Sequence, residues 1–328
     1  MNRTNQILAG VLALQLVVAV VAFWPRSPAG AAGEPLFAGV EADQVTWVQI
    51  ADAEGSQIEL EKADTGWTLA GTDGFPCTEN AVPDFLAKLL ALDTSRLVTE
   101  TPGSHARLEV AADAFSRKVT FRTQDGTEHT LYVGSSPSYN AVHVRVEGQD
   151  QVYLVSGLSA TDASVTATAW IDPLYVSLES DQVVALTIEN AQGTFAFTKD
   201  EEGTWRMEGL AGDETLNEGE VSALVTRISS VRMQRPLGQA EEPAYGMGDP
   251  RAVVTVQTRD EEGATATQTL VVGAQDATDN SYVVKASTSP YYVRVTDYTV
   301  QDFVQEARTD VIELPPTPTV ETTATPAP

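Results

Sequence analysis

The side chains best suited to catalysis in this chain are one cysteine and three histidines. Cys77 is the single cysteine, and the histidines are His105, His129 and His143. A thiol beside an imidazole can act as a nucleophile, and clustered His and Cys side chains hold zinc. The spacings favour neither use, because no His-x-x-x-His or Cys-x-x-Cys pair occurs. We interpret Cys77 as a loop cysteine, and we predict no catalytic, cofactor-binding or metal-ligating residue.

Two further groups of residues could bind a ligand. The segment "DATDN" at 276–280 offers oxygen atoms that suit Ca²⁺, but it lacks the twelve-residue loop of an EF-hand, so a polar turn is favoured. Trp67 and Trp205 could stack on a sugar. Their matched positions in a repeat, described below, favour a packing role. No Gly-x-Ser-x-Gly, Walker or dinucleotide-binding motif is present.

Composition limits the classes of partner. The 328 residues carry a net charge of −26, from 46 acidic and 20 basic side chains. Binding of nucleic acid needs a basic surface, so this class is disfavoured, as is broad contact with anionic lipid headgroups. The acidic runs 200–202 and 260–262 are interpreted as solvated turns. A single cysteine cannot form an intramolecular disulfide, so stability must come from hydrophobic cores.

The N-terminal segment is long and apolar. Residues 7–24 are apolar except for Gln15, and eighteen helical residues span about 27 Å, close to the roughly 30 Å hydrocarbon core of a bilayer. We favour an uncleaved transmembrane helix after a cytoplasmic tail of residues 1–6. Cleavage as a signal peptide at "AGAA" (29–32) is the alternative. With the anchor, the acidic bulk of the chain lies outside the cytoplasm, at the plasma membrane.

Two segments of biased composition flank the bulk of the chain. Residues 25–40 are rich in Pro, Gly and Ala and are typical of a linker. Residues 314–328 are a Pro/Thr-rich tail, for which we predict disorder.

The bulk of the chain contains an internal repeat. Residues 43–71, placed over 181–209 without a gap, share eight identities: Asp43, Gln44, Val45, Ile50, Ala53, Gly55, Trp67 and Gly71 recur 138 residues later. A period of this length is too long for a solenoid unit and indicates two domains, at 41–173 and 178–313. Each copy opens with alternating apolar residues, a turn glycine and a Trp-bearing strand, which predicts a three-stranded meander.

The same elements follow in both copies. Apolar residues at helical spacing predict a helix from Val82 to Leu90 and another from Val221 to Ile228, the second capped by Asn217. Two hairpins come next in each copy, and Gly134 and Gly273 end the first of them. In the last hairpin, Tyr153 aligns with Tyr292 at an offset of 139. We therefore predict an α+β fold, with each domain an antiparallel sheet packed on one main helix, and a closing helix after Val300.

The order of these elements resembles the bacterial family called domain of unknown function 4340. In the second copy, "YGMGDP" (245–250) is similar to the family's Tyr-Gly-Leu-x-x-Pro pattern, with Met247 in place of Leu. The first copy departs from it, since "SHARLEVAADAF" lacks that Gly and Pro. The resemblance covers about residues 40–313. It implies an N-terminal membrane segment, duplicated β-rich units, no established activity and an association with ABC-type export systems of the gliding-motility kind.

The leading hypothesis is a non-enzymatic, membrane-anchored extracytoplasmic accessory or scaffold protein, associated with an ABC-type export system. The expected partners are membrane lipid around residues 7–24 and a transporter permease or another envelope protein, with no nucleic acid and no cofactor. The alternative is an extracytoplasmic module that binds a glycan or a peptide, and the third hypothesis is a hydrolase that uses Cys77 or His143.

Overall fold

The computed structural model of the protein describes residues 33–313 except residue 201. Within that part of the chain, no helix is both long enough and apolar enough to cross a membrane. The segments predicted at 1–6, 7–24 and 314–328, and residues 25–32 of the predicted linker, lie outside the described residues.

The described chain is mostly antiparallel β-sheet with few helices. Its first strands are β1 (Val45–Asp52), β2 (Gln57–Ala63), β3 (Gly66–Leu69), β4 (Phe75–Pro76), β5 (Leu97–Thr99), β6 (Arg117–Thr123), β7 (Glu128–Val133), β8 (Val142–Val146) and β9 (Val152–Val155). The later strands are β10 (Leu174–Ser177), β11 (Val183–Asn190), β12 (Gly193–Lys199), β13 (Trp205–Met207), β14 (Thr215–Leu216), β15 (Ser230–Arg232), β16 (Arg235–Gly238), β17 (Ala252–Arg259), β18 (Thr265–Gln275), β19 (Tyr282–Ala286), β20 (Tyr292–Val295) and β21 (Ile312–Glu313). The helices are α1 (Ala81–Leu90), α2 (Glu218–Ser229), α3 (Asp297–Gln305) and α4 (Arg308–Val311).

The chain forms two compact units. The first unit takes the described residues up to Gln44 together with Phe85–Ala163, and its strands follow the order β6-β7-β8-β9-β5. The second unit takes Val45–Asp84 and the chain from Ser164 onward. It contains the strands β4-β3-β2-β1, the eight-stranded sheet β13-β12-β11-β17-β18-β19-β20-β16, and the two-stranded pairs β10-β15 and β14-β21.

The strand orders correspond copy by copy. The order β3-β2-β1 matches β13-β12-β11, and β6-β7-β8-β9-β5 matches β17-β18-β19-β20-β16. β11 begins 138 residues after β1, as the identities predict, whereas β19 and β20 begin 140 residues after β8 and β9. The predicted alignment of Tyr153 with Tyr292 is therefore wrong by one residue. Tyr153 faces Val144 across its hairpin as Val293 faces Val284, so Tyr153 corresponds to Val293.

The first hairpins differ in their turns. Val48 and Ile50 of β1 pair with Leu60 and Ile58 of β2, and all four side chains are buried. In the other copy, the buried Leu186 and Ile188 pair with Phe197 and Phe195. Four residues connect β1 to β2, at 53–56, whereas two connect β11 to β12, at 191–192. The pairing shows a shift of one residue in the second strand, because Ile58 and Leu60 correspond to Phe195 and Phe197 at an offset of 137. The apolar side chains stay on the buried face.

Three of the four described helices are those that the spacing predicts, and the short α4 was not predicted. α1 buries Val82, Phe85, Leu86 and Leu89 along one stripe. α2 buries the predicted stripe of Val221, Leu224, Val225 and Ile228, and the side chain of Asn217 accepts a hydrogen bond from the backbone N–H of Glu220 at 3.2 Å. α3 is the predicted closing helix. It packs on β11 and β17, and its Val300 and Phe303 side chains are fully buried.

Candidate functional site

His105 and His143 hold turns of the first unit together. The Nε2 atom of His105 lies 3.0 Å from the carbonyl oxygen of Asp150, and the ring is buried. The Nδ1 atom of His143 lies 2.9 Å from the carbonyl oxygen of Ser135 and 3.2 Å from its hydroxyl. A buried polar atom needs such a partner, so these contacts account for both rings as structural elements.

His129 belongs to an aromatic cluster. Its ring is stacked on Phe121 with centroids 5.0 Å apart, and Phe37 meets both rings edge-on. Phe37 and Phe121 are buried. The structure therefore brings no two of the three histidines together through the contacts that it describes.

Cys77 is half-buried at the end of β4. It lines a cleft of about 310 Å³ with Phe75, Leu174, Tyr175 and Met233, among others. Burial raises the pKa of the Cys77 thiol to about 12. The thiol is therefore protonated near neutral pH, and it lacks the lowered pKa that activates a nucleophilic cysteine.

The predicted polar turns are confirmed as turns by their hydrogen bonds. Asp276 accepts from the backbone N–H of Thr278 at 2.8 Å and pairs with Arg294 at 3.0 Å, and Asp279 accepts from the N–H of Ser281 at 2.9 Å. Among residues 33–313 with the exception of 201, no three His, Cys, Asp or Glu side chains are grouped so that they could hold a metal ion.

The acidic runs also shape turns. The side chain of Asp200 accepts the N–H groups of Glu202 and Thr204, and the side chain of Asp260 accepts those of Glu262 and Ala264. These hydrogen bonds lower the pKa of Asp200, with Thr204 as the main cause. Each leading aspartate thus closes a turn between two strands, a usual role of Asp in this context.

The two matched tryptophans lie in different environments. Trp205 is buried, opposite Lys199 on β12, whose ammonium lies 5.1 Å from the centre of the indole ring. Trp67 lies opposite Lys62 and is partly exposed. Burial leaves no open ring face for a sugar at Trp205.

The backbone of the "YGMGDP" segment passes close to the backbone at Gly273. Gly246 has a left-handed conformation, with φ of 69°, and Glu109 has φ of 57° at the corresponding point of the first copy. A Cβ atom on Gly273 would lie 2.1 Å from the carbonyl oxygen of Tyr245, and one on Gly134 would lie 2.2 Å from that of Leu108. The first copy thus builds the same turn without the pattern's Gly, because Glu109 adopts the conformation that Gly246 takes.

The last strand of the matched strand orders shows a clear structural difference between the copies. We call the outer side of β16 the β16 edge and the outer side of β5 the β5 edge. At the β16 edge, the Asp73 carboxylate accepts the backbone N–H of Gln239 at 2.7 Å, and the side chain of Gln239 donates to the carbonyl oxygen of Asp73 at 3.2 Å. The segment that precedes β4 therefore covers this edge.

A neighbouring residue adds to this closure of the β16 edge. The hydroxyl of Tyr291 donates to the carbonyl oxygen of Gly74 at 3.2 Å, and its ring packs against Phe75 with centroids 4.8 Å apart. Pro236 within β16 is buried. Proline has no N–H group, so it offers no donor to a strand added at this edge.

The β5 edge is open over the residues that the structure describes. β5 pairs with β9 on its inner side, and no described strand pairs with its outer side. Leu97 and Val98 are 51% and 44% exposed. An exposed edge strand with aliphatic side chains is a template for another strand, so the β5 edge is the candidate binding site.

The β5 and β16 edges correspond residue by residue. Leu97 pairs with Tyr153 on β9, and Pro236 pairs with Val293 on β20. Since Tyr153 corresponds to Val293, Leu97 stands where β16 has Pro236. In the same register, Glu100 stands where Gln239 binds Asp73. Sequence reasoning did not single out Leu97, although its alignment with the proline would have been the signal.

These features define a class of β-rich protein in which an open edge strand is the candidate binding surface. The family model described as domain of unknown function (DUF4340) matches residues 67–250, more than half of the chain, and the chain belongs to this family. No curated protein and no solved structure matches the chain.

Proposed function

We propose that this protein is a non-enzymatic accessory or scaffold subunit, anchored in the plasma membrane by residues 7–24 with its bulk outside the cytoplasm. In this proposal the two copies form tandem homologous domains that present a binding surface to another envelope protein. The family resemblance suggests that this partner belongs to an ABC-type export system.

The open β5 edge is the observation that carries the proposal. Three features block the corresponding edge in the other copy. Pro236 offers no N–H, Asp73 binds the N–H of Gln239, and Tyr291 binds the carbonyl oxygen of Gly74. Proteins usually protect edge strands, because an unprotected edge pairs with other chains. An edge that is closed in one copy and open in the other therefore favours a binding role for the open one.

Charge and site chemistry agree with a protein partner. A net charge of −26 opposes contact with nucleic acid. The pKa of Cys77, raised to about 12, gives the hydrolase hypothesis no support at that residue. Trp205 is buried, so its ring gives no support to the glycan-binding hypothesis.

A peptide-binding module is the second candidate, and the same β5 edge favours it. The two candidates differ in the nature of the partner, since a module binds a released peptide whereas a subunit stays with a folded membrane protein. A stable complex in detergent supports the subunit, and a complex that forms only with soluble peptide supports the module.

Co-purification tests the proposal. The tagged full-length chain is extracted from its native membranes in mild detergent and analysed by size-exclusion chromatography and mass spectrometry. We expect one envelope protein to co-elute in stoichiometric amount, with the chain in the membrane fraction and digestible by external protease. A chain that always elutes alone contradicts the proposal. A chain that external protease cannot digest until the cells are lysed also contradicts it, because its bulk would then lie in the cytoplasm.

A further inference from the structure

We propose that the β5 edge binds an extended segment of a different protein as an additional strand, and that this segment carries aliphatic side chains and a basic residue that faces Glu100. This inference rests on the proposed accessory function and specifies how the partner is held.

The hydrogen bonding of β5 sets which backbone groups are available. The backbone N–H of Leu154 on β9 donates to the carbonyl oxygen of Arg96 at 2.9 Å. In an antiparallel ladder the polar backbone groups of successive residues point to opposite sides. The N–H and C=O groups of Leu97 therefore point outward, where a partner strand can use both.

The exposed side chains provide the apolar part of the site. Leu97 and Val98 are adjacent, so they lie on opposite faces of the strand. A partner strand contributes side chains to both faces and would cover both residues. Removal of these two aliphatic side chains from water favours the complex through the hydrophobic effect.

The β16 edge supplies a precedent within the same chain. There the covering segment brings a carboxylate to the backbone N–H of Gln239, and Gln239 itself is neutral. At the β5 edge the corresponding residue is Glu100, whose carboxylate lies 3.5 Å from the side-chain amide of Gln151. An acidic segment such as 72–74 would be repelled there, whereas a basic one would be attracted.

Charge also separates the possible occupants. A second copy of this chain carries a net charge of −26, so its approach to Glu100 is opposed by repulsion. A basic segment of another protein has the complementary charge. The chain's own residues before Gly33 are the remaining alternative, since Thr94 donates to the carbonyl oxygen of Glu34 at 3.0 Å, beside the start of β5.

The position of Gly33 fits a partner in the membrane. A Cβ atom on Gly33 would lie 2.3 Å from the backbone nitrogen of Ser95, two residues before β5. If residues 7–24 form the proposed anchor, eight residues, 25–32, separate it from this point. The β5 edge then lies within reach of the extracytoplasmic loops of a neighbouring membrane protein.

Site-specific cross-linking tests the inference in the full-length chain. A photoreactive benzoylphenylalanine replaces Val98 in the native membrane, and the cross-linked peptides are identified by mass spectrometry. The matched control places the same probe at Tyr139, a fully exposed residue of the turn before β8. We expect Val98 to cross-link to a net-basic segment of another protein, and Tyr139 to give at least tenfold less of that product.

A second pair of variants tests the backbone pairing. Leu97→Pro copies the proline of the β16 edge and removes the outward N–H, whereas Tyr139→Ser removes a fully exposed large side chain elsewhere. We expect Leu97→Pro to lower co-purification of the cross-linked partner at least tenfold, and Tyr139→Ser to leave it unchanged. Circular dichroism and thermal unfolding report whether either variant is misfolded, and Leu97→Lys gives a variant without a backbone change that we expect to lower binding of a basic partner.

The outcomes separate this inference from the proposed function. A partner that co-purifies equally with the wild type, Leu97→Pro and Leu97→Lys overturns the β5 edge but keeps the accessory function. A Val98 cross-link to a second copy, to residues before Gly33 or to nothing overturns the inference as well. A wild-type chain that has no partner at all contradicts the accessory function itself.

Discussion

Leu97 and Pro236 occupy the same position on the last strand of matched strand orders, and their side chains have opposite exposure. Leu97 is 51% exposed, whereas Pro236 is buried. The register fixes the match, because Leu97 pairs with Tyr153 and Pro236 with the corresponding Val293. Over the described residues, one copy therefore has an edge that can pair with another strand, whereas the corresponding edge of the other copy is covered.

The first prediction concerns hydrogen exchange at the β5 edge. We expect the amide of Leu97 to exchange close to the rate of an unstructured peptide, because it points outward, and the amide of Leu154 to be strongly protected by Arg96. Exchange monitored by mass spectrometry with residue-level fragmentation measures both. Equal protection of the two amides in the isolated chain would show that something already covers the edge.

The second prediction concerns the closure of the β16 edge. Asp73 has a left-handed backbone, with φ of 54°, and it accepts the N–H of Gln239. Asp73→Ala loses the hydrogen bond to the N–H of Gln239. It also places alanine, which has no polar side chain to stabilise this conformation, in the left-handed region. We expect a loss of about 1–2 kcal/mol in the free energy of unfolding, measured in urea.

Two further variants at this position separate its two effects. Asp73→Asn keeps an acceptor oxygen and tolerates the left-handed conformation, so we expect a loss below about 0.5 kcal/mol. Asp73→Gly relieves the backbone but removes the acceptor, and its stability should lie between those of the Ala and Asn variants. If all three variants matched the wild type, Asp73 would not stabilise the closure.

The third prediction concerns the two glycines that close the second hairpin of each copy. A Cβ atom on Gly134 or Gly273 would lie 2.2 Å or 2.1 Å from a backbone carbonyl oxygen, which cannot move without the turn that carries it. We expect Gly134→Ala and Gly273→Ala each to destabilise the chain by about 3 kcal/mol or more. Gly248→Ala is the control, since beyond its two chain neighbours no described residue has an atom within 4 Å of the position that its methyl group would take. A similar loss for Gly248→Ala would exclude crowding as the cause.

The fourth prediction is a pH dependence of stability at Glu306. This side chain is 5% exposed, and its Oε1 atom has no hydrogen-bond partner among the described residues. Burial, and then the charges of Glu220, Asp310 and Asp302, raise its pKa to about 7, against the opposing effect of Arg227. The folded state thus binds more protons than the unfolded state between the ordinary pKa of 4.5 and 7.

The contribution of Glu306 to the free energy of unfolding therefore falls as the pH rises through this window. Glu306→Gln removes the titration, so we expect the variant to match the wild type below pH 4.5 and to exceed it at pH 8, by at most about 3 kcal/mol. Urea unfolding at pH 4, 6 and 8 measures the difference, with the exposed Glu189→Gln as control. A constant difference across these pH values would contradict the prediction.

The repeat and its elements could be read from the sequence. Apolar spacing predicted the buried stripes of α1 and α2, and the glycine and tryptophan matches located the first hairpin of each copy. These signals are local, since period and turn residues depend on a few neighbours in the chain. The alignment of Tyr153 with Tyr292 was wrong by one residue, because the pattern of apolar residues within a strand does not show how many residues a loop has gained.

The sequence by itself determined the opening meander, the main helix and the two hairpins of each copy, because these follow from local spacing and turn residues. Its residue types determined the acidic character, and the identities at an offset of 138 determined the repeat. The strands β5 and β16 and the helix α4 were not predicted. Only the tertiary structure decided which edges are closed. Asp73 meets Gln239 across 166 residues, and the correspondence of Leu97 with Pro236 follows from pairing with β9 and β20. Hydrogen bonds between distant strands leave no local pattern in the sequence, so the exposure of the β5 edge could be seen only in the tertiary structure.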